Sequence, residues 1–574
     1  MKILLKYLKQ YRGYVALALT IKVIATVVEL AIPYILSYIL DDIVPLKVVS
    51  TIIFWGAIMI LCSLASCVFN IISNRMAARV ARNTTEKVRH SLFEKILSLS
   101  SKQIDGFTIP SLESRLTSDT YHLHHFIGMS MRIGIRAPIL LVGGIILTAT
   151  LDPILTLILV IVLPLITISV TIITKKGVPL FKKTQSSVDR MTQIVREDSQ
   201  GIRVIKALSK TEYERNKFDK ANKELIHNEQ KAGITMAASN PIVTFFLNLG
   251  LVSVIVAGAF RVNGGLSETG KIIAFIQYFT MISNAMIALT RIFVRYSKGA
   301  ASAARIEEVL NTEPDLTVAS EEEHPSMDTD AHIVFDGVSF SYLGHANNLS
   351  DISFSLPHGK TLGIIGATGS GKTTLVQLLM RFYDTDKGGI YIDGRDVRTI
   401  PHEELNTMFG TVMQNDFIFS GSIEENIKFG REMSDRDMEL GAELAQAKEF
   451  ISQYDDTYSH KLQSKGTNIS GGQKQRILIA RALAGKPRIL VLDDSSSALD
   501  YKTDSKLRRG IREHMTDTTT IVVAQRVSSI MNADLILVLD EGCIIGKGSH
   551  EELLQSCPVY KEISDSQIGG AILD

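Results

Sequence analysis

Hydrophobic residues cluster before about position 310 in six long runs, near 14–40, 49–73, 126–151, 153–173, 241–263 and 270–292. Each reaches the ~20 residues that a helix needs to cross ~30 Å of hydrocarbon. The stretch ILTLILVIVLPLITISVTII (154–173) has no charge at all, which argues against a buried helix of a soluble enzyme. The third run has the shortest apolar centre, because Arg132, Arg136 and Pro138 fall inside it. Between the runs, residues 75–99 and 188–225 mix apolar and charged positions at helical spacing with few breakers. That pattern predicts membrane helices that continue well into the cytoplasm. The turns at their far ends, near Ile109–Asp119 and Asp198–Lys206, are then candidates for contact with a cytoplasmic domain.

From Ile333 the pattern changes to short β runs alternating with helices. The acidic stretch TEPDLTVASEEEHPSMDTDA (312–331) reads as a linker between the two regions. The predicted organisation is an all-α six-helix transmembrane domain with long cytoplasmic helical extensions (1–311), then an α/β P-loop NTPase domain (332–574).

Charge sharpens this division. The chain of 574 residues carries a net +1, which argues against a nucleic-acid partner. Residues 1–311 hold 36 Lys/Arg against 20 Asp/Glu, and the remainder hold 25 against 40. Eight of the bases lie in 74–125 and fourteen in 174–240, while Lys47 is alone in the three short connections. Both termini and the two long connections are therefore expected to be cytoplasmic. The N-terminus has Ile3, Leu4, Leu8 and Tyr11 on one helical face and Lys2, Lys6, Lys9 and Arg12 on the other. It suits a helix lying on the membrane surface; the apolar run behind it is too long for a cleavable signal. Lys22 and Glu29 fall inside the first span, where charges face a water-filled cavity or a partner, snorkel to the interface, or pair within the bundle. Four cysteines without CxxC spacing exclude a disulfide framework.

The candidate chemistry lies in the second region. TLGIIG (361–366) reads as a strand, ATGSG as a turn and KTTLVQLLMRFY (372–383) as a helix. This is the P-loop arrangement, Gly366, Ala367, Thr368, Gly369, Ser370, Gly371, Lys372, Thr373, with Thr374 following. Backbone N–H groups of such a loop converge on phosphate oxygens, and the helix N-terminus adds its dipole. Lys372 is placed to reach the β/γ-phosphates and Thr373 to give its hydroxyl to Mg²⁺. RILVLDD (488–494) is a strand ending in two carboxylates, of which Asp493 is the expected metal ligand. Ser470, Gly471 and Gly472 open a helix and form a second anion site. Gln414 lies between these segments.

Together these residues resemble an ATP-binding-cassette (ABC) transporter of the exporter-type half-transporter class, over essentially the whole chain. The order of P-loop, Gln414, the SGGQ signature, Asp493 and SALD (497–500) carries the resemblance. It implies ATP and Mg²⁺ as ligands, with Tyr342 stacking on adenine and Gln414 contacting Mg²⁺. It also implies that Ser470, Gly471, Gly472 and Gln473 bind the γ-phosphate of an ATP held by an opposite cassette, with Leu499 and Asp500 at that interface. Its location would be a bacterial inner membrane, multi-pass, with lipid around it and an amphipathic transport substrate.

Three positions depart from the family. Ile469 stands where leucine is usual, a mild change. Asp494 stands where the family has the glutamate that polarises water, and Gln525 where it has the switch histidine. An Asp carboxylate falls about an ångström short, an error that costs roughly 10²-fold. Glutamine cannot become an imidazolium. Two such changes beside an intact P-loop and signature point to a catalytic site kept for binding ATP, and resemble the degenerate-site subunit of bacterial heterodimeric multidrug exporters. The partner would be a second half-transporter with Glu and His at these positions. An exporter-fold importer and an ATP-gated regulatory subunit are the alternative readings.

Overall fold

The computed structural model describes residues 2–342, 344, 347–495 and 497–569. Two compact units result, one from residues 1–97 and 109–312 and the other from residues 98–108 and 313–574.

The first unit is helical. After the short helix Lys2–Lys9 come Arg12–Tyr38, Val49–Leu97, Thr120–Leu151, Pro153–Gln200, Thr211–Ala237, Ser239–Asn263 and Thr269–Leu310. Among the described residues, six helical stretches are long and apolar enough to cross a membrane. Val49–Leu97 has 49 residues and Pro153–Gln200 has 48, each about 70 Å at 1.5 Å per residue. That is more than twice the hydrocarbon thickness, so both helices outrun it. In the most apolar window of Val49–Leu97 only 6% of residues are buried, which leaves Ile53, Phe54, Ile60 and Leu61 for lipid. The bundle closes around Leu155, Leu159, Phe275, Tyr278 and Ile282. The Tyr278 hydroxyl donates to the Leu30 carbonyl at 2.6 Å, so this buried phenol is satisfied.

The two charges inside the first span have partners. Arg136 donates to both oxygens of Glu29, at 3.1 and 2.5 Å. Lys22 is buried and donates to the side-chain oxygens of Asn70 (2.7 Å) and Asn74 (3.2 Å). Of the readings left open for Lys22 and Glu29, pairing within the bundle is the one observed. The pairing of Arg136 also explains why Thr120–Leu151 runs unbroken through the charged part of the third run.

The second unit holds twelve strands among the described residues. They are β1 (Ala331–Phe340), β2 (Leu349–Pro357), β3 (Thr361–Gly366), β4 (Lys387–Ile392), β5 (Arg395–Asp396), β6 (Phe409–Val412), β7 (Gly421–Ser422), β8 (Lys461–Leu462), β9 (Ile489–Asp493), β10 (Thr519–Val523), β11 (Leu535–Asp540) and β12 (Cys543–Gly548). An antiparallel sheet has the order β2-β1-β4-β5, and a six-stranded sheet the order β12-β11-β3-β10-β9-β6. In the latter β11, β3, β10, β9 and β6 run parallel. All five residues of β9 are buried, as expected for a parallel strand covered on both faces. The alignment Ile364, Val523, Asp493 across β3, β10 and β9 brings the ends of these strands together. Residues separated by more than a hundred positions thus meet at the carboxyl edge of the sheet, where open α/β sheets bind ligands.

Ser98–Thr108 belongs to this second unit. Its helix Ser101–Phe107 starts with a capping box, in which the Ser100 hydroxyl accepts from Gln103 N and the Gln103 side chain accepts from Ser100 N. Ser100 Oγ donates to Asp315 (2.9 Å), Gln103 Nε2 to the Glu313 carbonyl (2.7 Å) and Tyr383 OH to Asp105 (2.8 Å). The sequence reading named Ile109–Asp119 and Asp198–Lys206 as candidates for contact with a partner domain and did not single out Ser98–Thr108; both named segments group with the helical unit of this chain.

Candidate nucleotide site

The loop from Gly366 to Gly371 joins β3 to the helix Lys372–Leu379. Gly371 has φ +97°, and a Cβ there would meet Leu349 Cδ2 at 2.6 Å and the Asn348 carbonyl at 2.9 Å. A Cβ on Gly366 would collide with the Leu539 carbonyl oxygen. Both positions therefore require glycine, for backbone conformation and for close approach.

Thr368, Gly369, Gly371, Lys372, Thr373, Thr374, Gln414, Asp493, Asp494 and Gln525 line one cavity of about 260 Å³. Asn348 joins them there; it was missed in the sequence, since it lies in an irregular turn without a motif. Lys372 Nζ donates to the carbonyls of Gly366 (2.9 Å) and Ala367 (2.7 Å). Burial lowers its pKa, against the opposing pull of Asp493 and Asp494. Thr373 Oγ1 donates to Asp493 Oδ2 at 2.9 Å. The Asp493 carboxyl is pushed above its ordinary pKa by burial first, against the Thr373 hydrogen bond. Next to it Asp494 has φ +51°, and its Oδ2 accepts from Gln525 Nε2 at 3.0 Å. Asp494 and Gln525, two of the three positions that depart from the family pattern, therefore bond to each other.

The residues fit a nucleoside triphosphate with Mg²⁺. Ser370 Oγ is buried in the loop without a hydrogen-bond partner, a spare polar group within the phosphate-binding segment. The Lys372 ammonium supplies positive charge, and Thr373 with Asp493 presents the hydroxyl and carboxylate that a hard cation takes.

Two expected site elements lie apart from the cavity lining. Tyr342 keeps 38% of its surface exposed, donates its hydroxyl to Gln377 at 2.7 Å and packs edge-on with Phe340 and Tyr383. Ser470 caps the helix Gly471–Ala484, accepting from Gln473 N at 3.3 Å, while Gln473 Oε1 accepts from Ser470 N at 2.9 Å. Ser470 and Gly471 are exposed, and none of Ser470–Gln473 lines the cavity. Leu499 is buried in the cassette's helical core. Asp500 is at the surface, where it caps Tyr501–His514.

Residues 15–286 match the ABC transporter transmembrane region and residues 349–497 match the ABC transporter domain. An ABC transporter ATP-binding protein of Bacillus subtilis, YfiB, is 36% identical over 567 residues, covering 98% of each chain. A second ABC transporter ATP-binding protein, from Mycobacterium tuberculosis strain H37Rv, is 33% identical over 570 residues and 98% of each chain. Among solved structures, a bacterial Atm1-family ABC exporter with ATP bound superposes with a TM-score of 0.81 at 22% identity, over 96% of this chain and 98% of that one. With six spans, an exporter fold and a P-loop cassette, the chain is a multi-pass inner-membrane protein that belongs to the ABC transporter family.

Proposed function

We propose that this chain is the degenerate-site subunit of a heterodimeric ABC exporter: it binds Mg²⁺-ATP at its own P-loop and splits it slowly. The observation that carries the reading is the Asp494–Gln525 hydrogen bond. A general base needs a carboxylate free to face water, and a partner group able to take up charge. Asp494 is one methylene short and already occupied, and Gln525 has no titratable proton. Lys372 releases two backbone carbonyls to meet phosphate oxygens, while Thr373 and Asp493 hold the cation that neutralises them. Ser470–Gln473, exposed and outside this cavity, serve the ATP of the partner's P-loop, where hydrolysis proceeds.

ATP favours a state in which two cassettes close around it, and that difference in affinity drives outward opening of the membrane helices. The helix Ser101–Phe107, which leads directly from Val49–Leu97, transmits the movement. The cargo is an amphipathic small molecule, lipid or peptide. Assayed alone in lipid nanodiscs, the purified chain should turn over ATP slowly and lose little on Asp494→Asn. The double variant Asp494→Glu/Gln525→His should be faster by about 10²-fold. Rapid turnover by the native chain that Asp494→Asn abolishes would overturn the reading.

A further inference from the structure

At the end of the cassette strands opposite the nucleotide cavity, three side chains that the transport function does not use converge. His332 begins β1, His358 lies in the turn between β2 and β3, and Asp393 lies in the turn between β4 and β5. Their nearest ligand-type atoms all fall within 4.8 Å of one another. His358 Nε2 is 2.8 Å from Asp393 Oδ1, and His332 Nε2 is 3.8 Å from the same oxygen. The second separation is the informative one. His332 is 1% exposed, and its Nε2 has no hydrogen-bond partner, a costly state for a buried polar atom.

The Thr519 hydroxyl beside the other ring nitrogen is able to accept a hydrogen bond from the proton that would otherwise sit on Nε2. Thr519 Oγ1 accepts from Gly359 N at 3.0 Å and lies 2.6 Å from His332 Nδ1. In the tautomer whose Nδ1–H is donated to that oxygen, Nε2 carries a lone pair 3.8 Å from Asp393 Oδ1 and is free to ligate. Metal-ligating histidines donate their other ring N–H to an oxygen in this way. Arg488 holds the other Asp393 oxygen at 2.5 Å, which leaves Oδ1 for the cluster. A tetrahedral zinc ion with ligands at ~2.0–2.2 Å spaces them about 3.4 Å apart, close to what is observed.

We propose that His332, His358 and Asp393 form a zinc site that ties the antiparallel sheet of the cassette to its P-loop sheet. Two imidazoles and one carboxylate select a borderline-soft transition ion over Mg²⁺ or Ca²⁺, and a water completes the tetrahedron. The rings of His332 and His358 now stack 4.0 Å apart at 13°. The exposed His358 ring turns on binding to aim its lone pair at the ion. The site shares no residue with the nucleotide cavity, so its test is independent of how the chain handles ATP.

The test is a Co²⁺ titration of the full-length chain, without a histidine tag, followed by visible absorption and Zn²⁺ displacement. The native chain should take up one equivalent with a tetrahedral ligand-field band that Zn²⁺ abolishes. His358→Ala removes an exposed ring. Asp393→Asn keeps a residue tolerant of the φ of +51° found there, so both variants should fold and retain ATP binding. Each should weaken Co²⁺ binding by ~100-fold or more. Absence of the band in the native chain, or a band that survives both substitutions, would refute the site.

Discussion

Asp493 and Asp494 are adjacent carboxylates with opposite situations. Asp493 is buried, held by Thr373, and has its pKa raised by that burial. A carboxyl raised in the folded state binds its proton more tightly there than in the unfolded chain. The resulting cost is absent below the ordinary carboxylate range (~3.9) and complete above the raised folded value. The nucleotide-free chain should therefore lose stability as pH rises through that window, and Asp493→Asn should remove this loss. Thermal unfolding of both proteins across the window should show the advantage of the Asn variant growing with pH; a constant difference would contradict the assignment. At this scale the sequence was informative about residue identity: the P-loop, both substitutions and the signature were all legible. The Asp494–Gln525 hydrogen bond was not, because it depends on the parallel neighbours β9 and β10 ending at the same level. Nor was the orphaned Ser370 hydroxyl, which is set by packing of the loop.

Among the elements, the long helices were readable from their apolar runs and the helical spacing that follows them. The run around Arg132, Arg136 and Pro138 looked short because of its charges, and the pairing of Arg136 with Glu29, 107 positions away, is not visible to a local reading. The helix Ser101–Phe107 is the clearest miss. Its capping box, Ser100 to Gln103, is visible in the sequence, but the turn was sought further along, beside Pro110. Three hydrogen bonds from Ser100, Gln103 and Tyr383 fix this segment within the cassette unit. Asp105→Ala removes one of them, worth about 0.5–1.5 kcal/mol. In the reconstituted dimer it should lower substrate stimulation of ATPase activity while leaving ATP affinity intact. Equal stimulation in variant and native protein would remove this helix from the transmission path.

For the whole molecule, near-neutral charge conceals a basic membrane half and an acidic cassette half, which together gave the boundary between regions. The fold follows from that division: apolar helices that satisfy their own backbone in lipid, then a parallel sheet whose carboxyl edge gathers the P-loop, Asp493 and Gln525. The signature helix opens at an exposed N-terminus outside the chain's own cavity, an arrangement that suits the proposed second cassette. The central claim, that this chain holds ATP without promptly splitting it, is best tested by photolabelling the working dimer. Azido-ATP labelled on either the α or the γ phosphate would be supplied with Mg²⁺ and crosslinked during turnover. The account predicts that this chain retains both labels in equal amount, while its partner retains mainly the α label. Loss of the γ label from this chain at the partner's rate would contradict it.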